Sequence, residues 1–147
     1  MKLTAKSRYG IRAAIELALR WQKGPVQIKI IAENENISLK YLEQLLTQMK
    51  SADLVQSIRG AKGGYYLTKS PDQITLYDII RVIEGPIEPV ECMSGMNICG
   101  DCERCAVKDI SQYMSDMIAD ELKKHDLKTL AEKTLELRNA ESEKANG

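Results

Sequence analysis

Ile37-Ser38-Leu39-Lys40-Tyr41-Leu42-Glu43-Gln44-Leu45-Leu46-Thr47-Gln48-Met49 has two faces. Leu39, Leu42, Leu45, Leu46 and Met49 recur at helical spacing and form a stripe suited to burial, while Lys40, Glu43, Gln44 and Thr47 fall on the other side. Ser38 precedes the stripe, and its hydroxyl can accept a hydrogen bond from an amide of the opening turn, so a helix starts there. Upstream, Ile28, Ile31 and Ala32 mark a shorter helix that stops in the polar run Asn34-Glu35-Asn36. Two helices joined across so short a polar turn predict a helix-turn-helix over about 28–51.

Moving outward, Leu54 to Ile58 is β-prone and partly alternating, Arg59-Gly60-Ala61-Lys62-Gly63-Gly64 is basic and glycine-rich, and Tyr65-Tyr66-Leu67 is β-prone again. This predicts a hairpin over about 54–67 with a cationic tip, the shape of a wing. Pro71 ends the hairpin, and Thr75 to Ile83 reads as a helix through Leu76, Ile79, Ile80 and Ile83, closed by Gly85-Pro86. On the N-terminal side, Ile11, Ala14, Ile15, Leu17, Ala18 and Trp21 define a helix from Tyr9 to Trp21, with Arg8, Arg12, Glu16 and Arg20 as its charged stripe.

Residues 86–105 show little periodicity and hold all four cysteines. Val107, Ile110, Met114, Met117, Ile118 and Leu122 then predict a long helix. One short domain has little else to cover so long an apolar stripe, so a second subunit is expected to bury it. A shorter helix follows, with Thr129 and Glu132 as a capping box, Leu130, Leu135 and Leu137 inside, and a tail from 141 expected to fray. The expected fold is mostly α with a small β wing: a winged helix-turn-helix domain over 1–85, a cysteine-rich segment over 86–105, and dimerisation and C-terminal helices over 106–140.

The 147 residues carry no net charge, yet the halves differ. Residues 1–70 hold 12 Lys and Arg against 5 Asp and Glu, and residues 71–147 hold 9 against 16, so only the front suits a polyanion. The basic start lacks an apolar stretch, and no run of about eighteen apolar residues follows, so neither a signal peptide nor a membrane span is expected and the chain is placed in the cytoplasm.

Ser38, Lys40, Tyr41, Glu43 and Gln44 give a recognition helix the groups that reach base edges or phosphates in a major groove; Glu43 can accept from cytosine N4. A solvated helix face would carry similar residues. The wing strengthens the DNA reading, because Arg59 and Lys62 flank Gly60, which lets backbone approach a phosphate. Cys92, Cys99, Cys102 and Cys105 are separated by six, two and two residues. In a cytosolic chain such clustering points to metal rather than disulfides, and the spacing leaves an iron-sulfur cluster and structural zinc equally open. The single histidine, His125, reads as a helix-end residue, and no nucleophile–base pair, phosphate loop or zinc-protease motif supports an enzyme.

Lys2 to Tyr9, Ile37 to Leu45, Val55 to Gly60 with Gly63-Gly64-Tyr65, and the cysteines together resemble the IscR-type winged-helix regulators. These are repressors and relatives that sense cluster assembly, nitric oxide, iron or cysteine supply. The likeness covers most of residues 1–108. It implies a homodimer clasped by the long helix, with two recognition helices in successive major grooves of a near-palindromic double-stranded operator. It also implies cluster ligands at Cys92, Cys99 and Cys105, a 2Fe-2S cluster in preference to 4Fe-4S, and control of cluster-assembly genes. Lys108 stands where the cluster-assembly repressors have a ligand histidine, Cys102 is additional, and Arg8 stands where nitric-oxide sensors place a cluster-binding acid. The fourth ligand is thus either Cys102 or a non-cysteine group.

Overall fold

The computed structural model describes residues 3–89, 100 and 102–147. Helix α1 (Ala5–Leu19) starts four residues before the apolar stripe, because the Thr4 hydroxyl oxygen accepts the Ser7 amide at 3.3 Å and caps the helix. The Thr4 and Ser7 hydroxyls also donate to Glu84, the latter at 2.5 Å, and hold its carboxyl below the usual carboxylate range. Helix α2 (Ile28–Glu35) ends on Asn36 in the left-handed conformation, φ 51°. Helix α3 (Leu39–Ser51) then opens on Ser38, whose side chain accepts the Tyr41 amide at 3.3 Å.

Leu42, Leu45, Leu46 and Met49 are fully buried, as the spacing predicts. Leu39 is a correction: it is exposed. Helical side chains lean toward the N-terminus, so the first residue of α3 projects off the end of the helix.

Strands β1 (Val55–Ile58) and β2 (Gly64–Leu67) pair antiparallel, with Val55 opposite Leu67 and Ile58 opposite Gly64. Val26 and Tyr65 exchange two backbone hydrogen bonds of 2.8 Å, so the α1–α2 connection lies along the free edge of β2. That approach requires glycine next door: Gly64 has φ +153°, and a Cβ there would meet the Val26 carbonyl oxygen at 2.3 Å.

A 3₁₀ turn (Pro71–Gln73) leads to α4 (Leu76–Glu84), where Thr75 and Asp78 form a reciprocal capping box. A second 3₁₀ turn (Cys102–Arg104) precedes α5 (Ala106–Lys123), and α6 (Leu127–Asn146) closes the chain. Four expectations for α6 are corrected. Asp126 caps the helix by accepting the Thr129 amide at 2.8 Å, which displaces the expected Thr129–Glu132 box. With that earlier start the helix spans 20 residues against 18 for α5, and it continues through the tail expected to fray. Leu135 and Leu137 are exposed, because the buried part of α6 is confined to Leu127 and Ala131 at its start.

A single hydrophobic cluster joins Ala13, Ala14 and Leu17 of α1, Ile31 of α2, the α3 stripe, Val55 and Leu67 of the hairpin, Ile79 of α4, and Leu127 and Ala131 of α6. Backbone bonds of 2.8 Å from Leu76 to the His125 carbonyl and from Leu127 to the Ile74 carbonyl stitch the start of α6 to the start of α4. Glu16, on the charged stripe of α1, is fully buried: Arg138 of α6 covers that side of α1 and bonds it.

Candidate nucleic-acid interface

Lys40, Glu43 and Gln44 are exposed along one side of α3. Tyr41 is half-buried and meets the ring of Tyr9 edge-on, with centroids 5.9 Å apart and an interplanar angle of 89°. The Arg12 guanidinium lies 5.9 Å from the centroid of the same Tyr9 ring, so α1 braces the root of the recognition face. Ser38 is exposed; its oxygen caps the helix while its hydroxyl proton stays available to donate. Thr47, by contrast, spends its hydroxyl on the Glu43 carbonyl at 2.8 Å.

Between the start of α1 and α3 runs a groove of about 570 Å³ lined by Lys6, Lys40, Tyr41, Glu43, Gln44 and Gln48. Lys6 belongs to this face although the sequence reading did not single it out. Its only signal was the basic opening of the chain, and nothing local says that α1 begins beside α3.

The wing tip turns at Gly60, φ +116°, and is closed by the Gly63 amide donating to the Gly60 carbonyl at 3.0 Å. Arg59, Gly60 and Lys62 are exposed on that turn. The tip is held in place from three sides. Gln27 Nε2 donates to the Ala61 carbonyl at 3.3 Å, Lys50 Nζ at the end of α3 donates to Ser57 Oγ at 2.6 Å, and the Val26–Tyr65 pair fixes β2. The structure therefore brings the residues predicted to read DNA and the wing cations onto elements that are tied to each other directly.

Cys92 and Cys99 lie outside the described residues. Cys102 opens the 3₁₀ turn, and Cys105 is the N-cap residue of α5, a half-buried free thiol whose carbonyl accepts the Lys108 amide at 3.1 Å. Among the described residues no three His, Cys, Asp or Glu side chains converge as a metal site. On the other side of the segment, the Ser115 hydroxyl donates to the Ile87 carbonyl and anchors the chain leaving α4 onto α5. His125 is a helix-end residue, its ring Nε2 3.2 Å from Glu121.

Helix α5 turns two serines inward, Ser111 and Ser115, and leaves Val107, Ile110, Tyr113, Met114 and Met117 outward at 46 to 65 % exposure. Among the described residues no helix is long and apolar enough to cross a membrane.

A helix-turn-helix braced by a cationic wing is the architecture of a winged-helix DNA-binding protein. The profile of the Rrf2 family, described as an iron-dependent transcriptional regulator, matches residues 3–133, and the chain belongs to that family. It is 54% identical over 93 residues to the HTH-type transcriptional regulator CymR of Bacillus subtilis (strain 168), spanning 63% of this chain and 67% of the relative. To the HTH-type transcriptional regulator IscR of Pectobacterium carotovorum (strain PC1) it is 38% identical over 120 residues, 82% of this chain and 73% of the relative. Among solved structures, CymR (YrzC), the global cysteine regulator of B. subtilis, superposes with a TM-score of 0.72 at 42% identity, covering 90% of this chain and 97% of that one. The T. potens IscR structure gives a TM-score of 0.73 at 33% identity, covering 91% and 88%. The chain is therefore a DNA-binding transcriptional regulator, and its named relatives are regulators rather than enzymes.

Proposed function

We propose that this chain is a homodimeric cytoplasmic repressor of iron-sulfur cluster assembly genes, its operator affinity set by an iron-sulfur cluster, 2Fe-2S in preference to 4Fe-4S. Ser38, Lys40, Tyr41, Glu43 and Gln44 read the major groove, and Arg59, Gly60 and Lys62 grip the adjoining backbone or minor groove. Cys92, Cys99 and Cys105 hold the cluster. Residues 1–85 read DNA, 86–105 bind the cluster and 106–140 dimerise, a division of labour across one shared core.

The observation that carries this reading is the position of Cys105 at the N-cap of α5, the helix with the exposed apolar stripe. A ligand at the root of the dimer helix ties the state of the cysteine segment to the spacing of two recognition helices. The donor set fits: four thiols fall within fourteen residues, and the positive end of the α5 dipole beside Cys105 favours the negative charge of a thiolate-bound centre. When bound, the cluster supplies an iron- and oxidant-responsive centre. Cys102, on the turn leading into α5, is a stronger candidate for the fourth position than Lys108, which must lose a proton to donate.

A second reading draws support from the 54% identity to CymR of B. subtilis, which is described as a global cysteine regulator: control of genes for cysteine supply without a cluster. Anaerobic purification with iron, sulfide and zinc analysis separates the two. The cluster reading expects a brown dimer with about two irons and two sulfides per chain, lost in the Cys92→Ala, Cys99→Ala and Cys105→Ala variants. Colourless protein with zinc alone points to a structural metal site, and metal-free protein that still binds DNA favours the second reading; either result overturns the cluster.

A further inference from the structure

Glu16 and Glu35 are carboxylates buried to 0 and 4 % exposure on different helices, and one nitrogen of Arg138 joins them. Arg138 Nη2 donates to Glu16 Oε1 at 2.6 Å and to Glu35 Oε1 at 2.9 Å. The remaining partners come from the same two helices. Arg20 and Asn34 donate to Glu16 Oε2 at 2.7 and 3.1 Å, and Arg12 donates to Glu35 Oε2 at 2.5 Å and to its backbone carbonyl at 3.2 Å. Glu35 is the last residue of α2, three before the Ser38 cap of the recognition helix, and Arg12 also stacks on the Tyr9 ring that braces Tyr41. The family profile ends at residue 133, five residues short of Arg138.

We propose that Arg138 is a positioning residue for operator binding: by bridging Glu16 of α1 and Glu35 of α2 it fixes the turn from which the recognition helix starts. The proposal rests on the reading of α3 as the helix that contacts the operator. A buried carboxylate pair without a shared cation repels itself and holds its geometry only by taking up a proton. The groups that face the pair are Arg12 and Arg20 from α1, Asn34 from α2 and Arg138 from α6. Burial pushes the Glu35 carboxyl above the ordinary carboxylate value, and the neighbouring Glu16 adds to this, so Glu35 is the member that protonates when the bridge is removed.

The test uses the full-length dimer and a duplex selected from a random library by the parent protein. Arg138→Gln should bind that duplex roughly tenfold more weakly at pH 8 and recover as the pH is lowered to 6 and below, more steeply than the parent; His125, the single histidine, is common to both. Its salt slope should match the parent, since no phosphate contact is lost. Arg138→Gln/Glu35→Gln should bind well at both pH values, because the carboxamide donates to Glu16 where the guanidinium did; this variant also decides the matter if the single one folds poorly. Parent-like affinity of Arg138→Gln at all pH values, a shallower salt slope, or failure of the double variant to recover would each overturn the proposal. Gln44→Ala on the same duplex separates the two readings: if it binds like the parent, the assignment of α3 falls and takes the proposal with it, whereas a weakened Gln44→Ala beside a parent-like Arg138→Gln removes the clasp alone.

Discussion

Arg59 sits on a turn closed by one hydrogen bond and tied to α2 through Gln27, and the guanidinium is exposed. A phosphate contact from such a position gives up about one counterion, so Arg59→Ala should weaken binding to a selected duplex and lower the magnitude of the log–log salt slope by about 0.9. Anisotropy titrations across a salt series read both quantities, and an unchanged slope and affinity would remove Arg59 from the interface. Glu16 lies at the opposite extreme of exposure. Burial opposes its ionisation, but hydrogen bonds from Arg20, Arg138 and Asn34 outweigh burial and hold its carboxyl at about 2, down from 4.5. A depressed carboxyl contributes stability above about pH 4.5 that is lost as the pH falls through 2. Glu35, raised, works in the other sense, gaining stability as the pH falls through its folded value and offsetting part of the loss. Glu16→Gln should therefore cost on the order of 2–3 kcal/mol at pH 7 and flatten the acid limb of the denaturation profile between pH 4.5 and 2. An acid limb identical to the parent would show that Glu16 is not the group involved. Sequence made the Ser38 cap and the α3 stripe from Leu42 to Met49 readable, because caps and periodicity are local. It placed Glu16 on a charged stripe but could not show its burial, since the arginine that covers it stands 122 residues away.

Helix α5 is unusual in what it turns inward: two serines pack against its own subunit, and one of them holds the Ile87 carbonyl. The methionines, Ile110, Val107 and Tyr113 face out. If this stripe is the dimer surface, a charge in its middle breaks the dimer and uncouples the two half-sites. Met117→Glu should sediment as a monomer at micromolar concentration and bind operator at least tenfold more weakly, because one half-site forgoes the contacts of the second. A parent-like sedimentation coefficient would send the search for the interface elsewhere. The existence of α5 was readable from its spacing. The cap and reach of α6 were not, because Thr129 with Glu132 imitates a capping box and Asp126 three residues earlier takes the role.

At the scale of the molecule, the basic half and the acidic half share one core. Leu127 and Ala131 of α6 complete the cluster that α1 shares with α2 and α3, and α4 is fastened to the start of α6 by backbone bonds. The sequence showed where the charge and the cysteines lie but not this closure, which depends on contacts between residues far apart in the chain. Closure from the far end also has a consequence during synthesis. A ribosome adding about 5–20 residues per second takes several seconds to travel from Leu67, the last residue of the wing, to Leu127. Throughout that interval every residue of the wing and of α3 has been made while Leu127, which fills one wall of their shared core, has not. The core behind α3 can be completed only after residues 86–105 have been made, so every copy that finishes folding already carries all four cysteines.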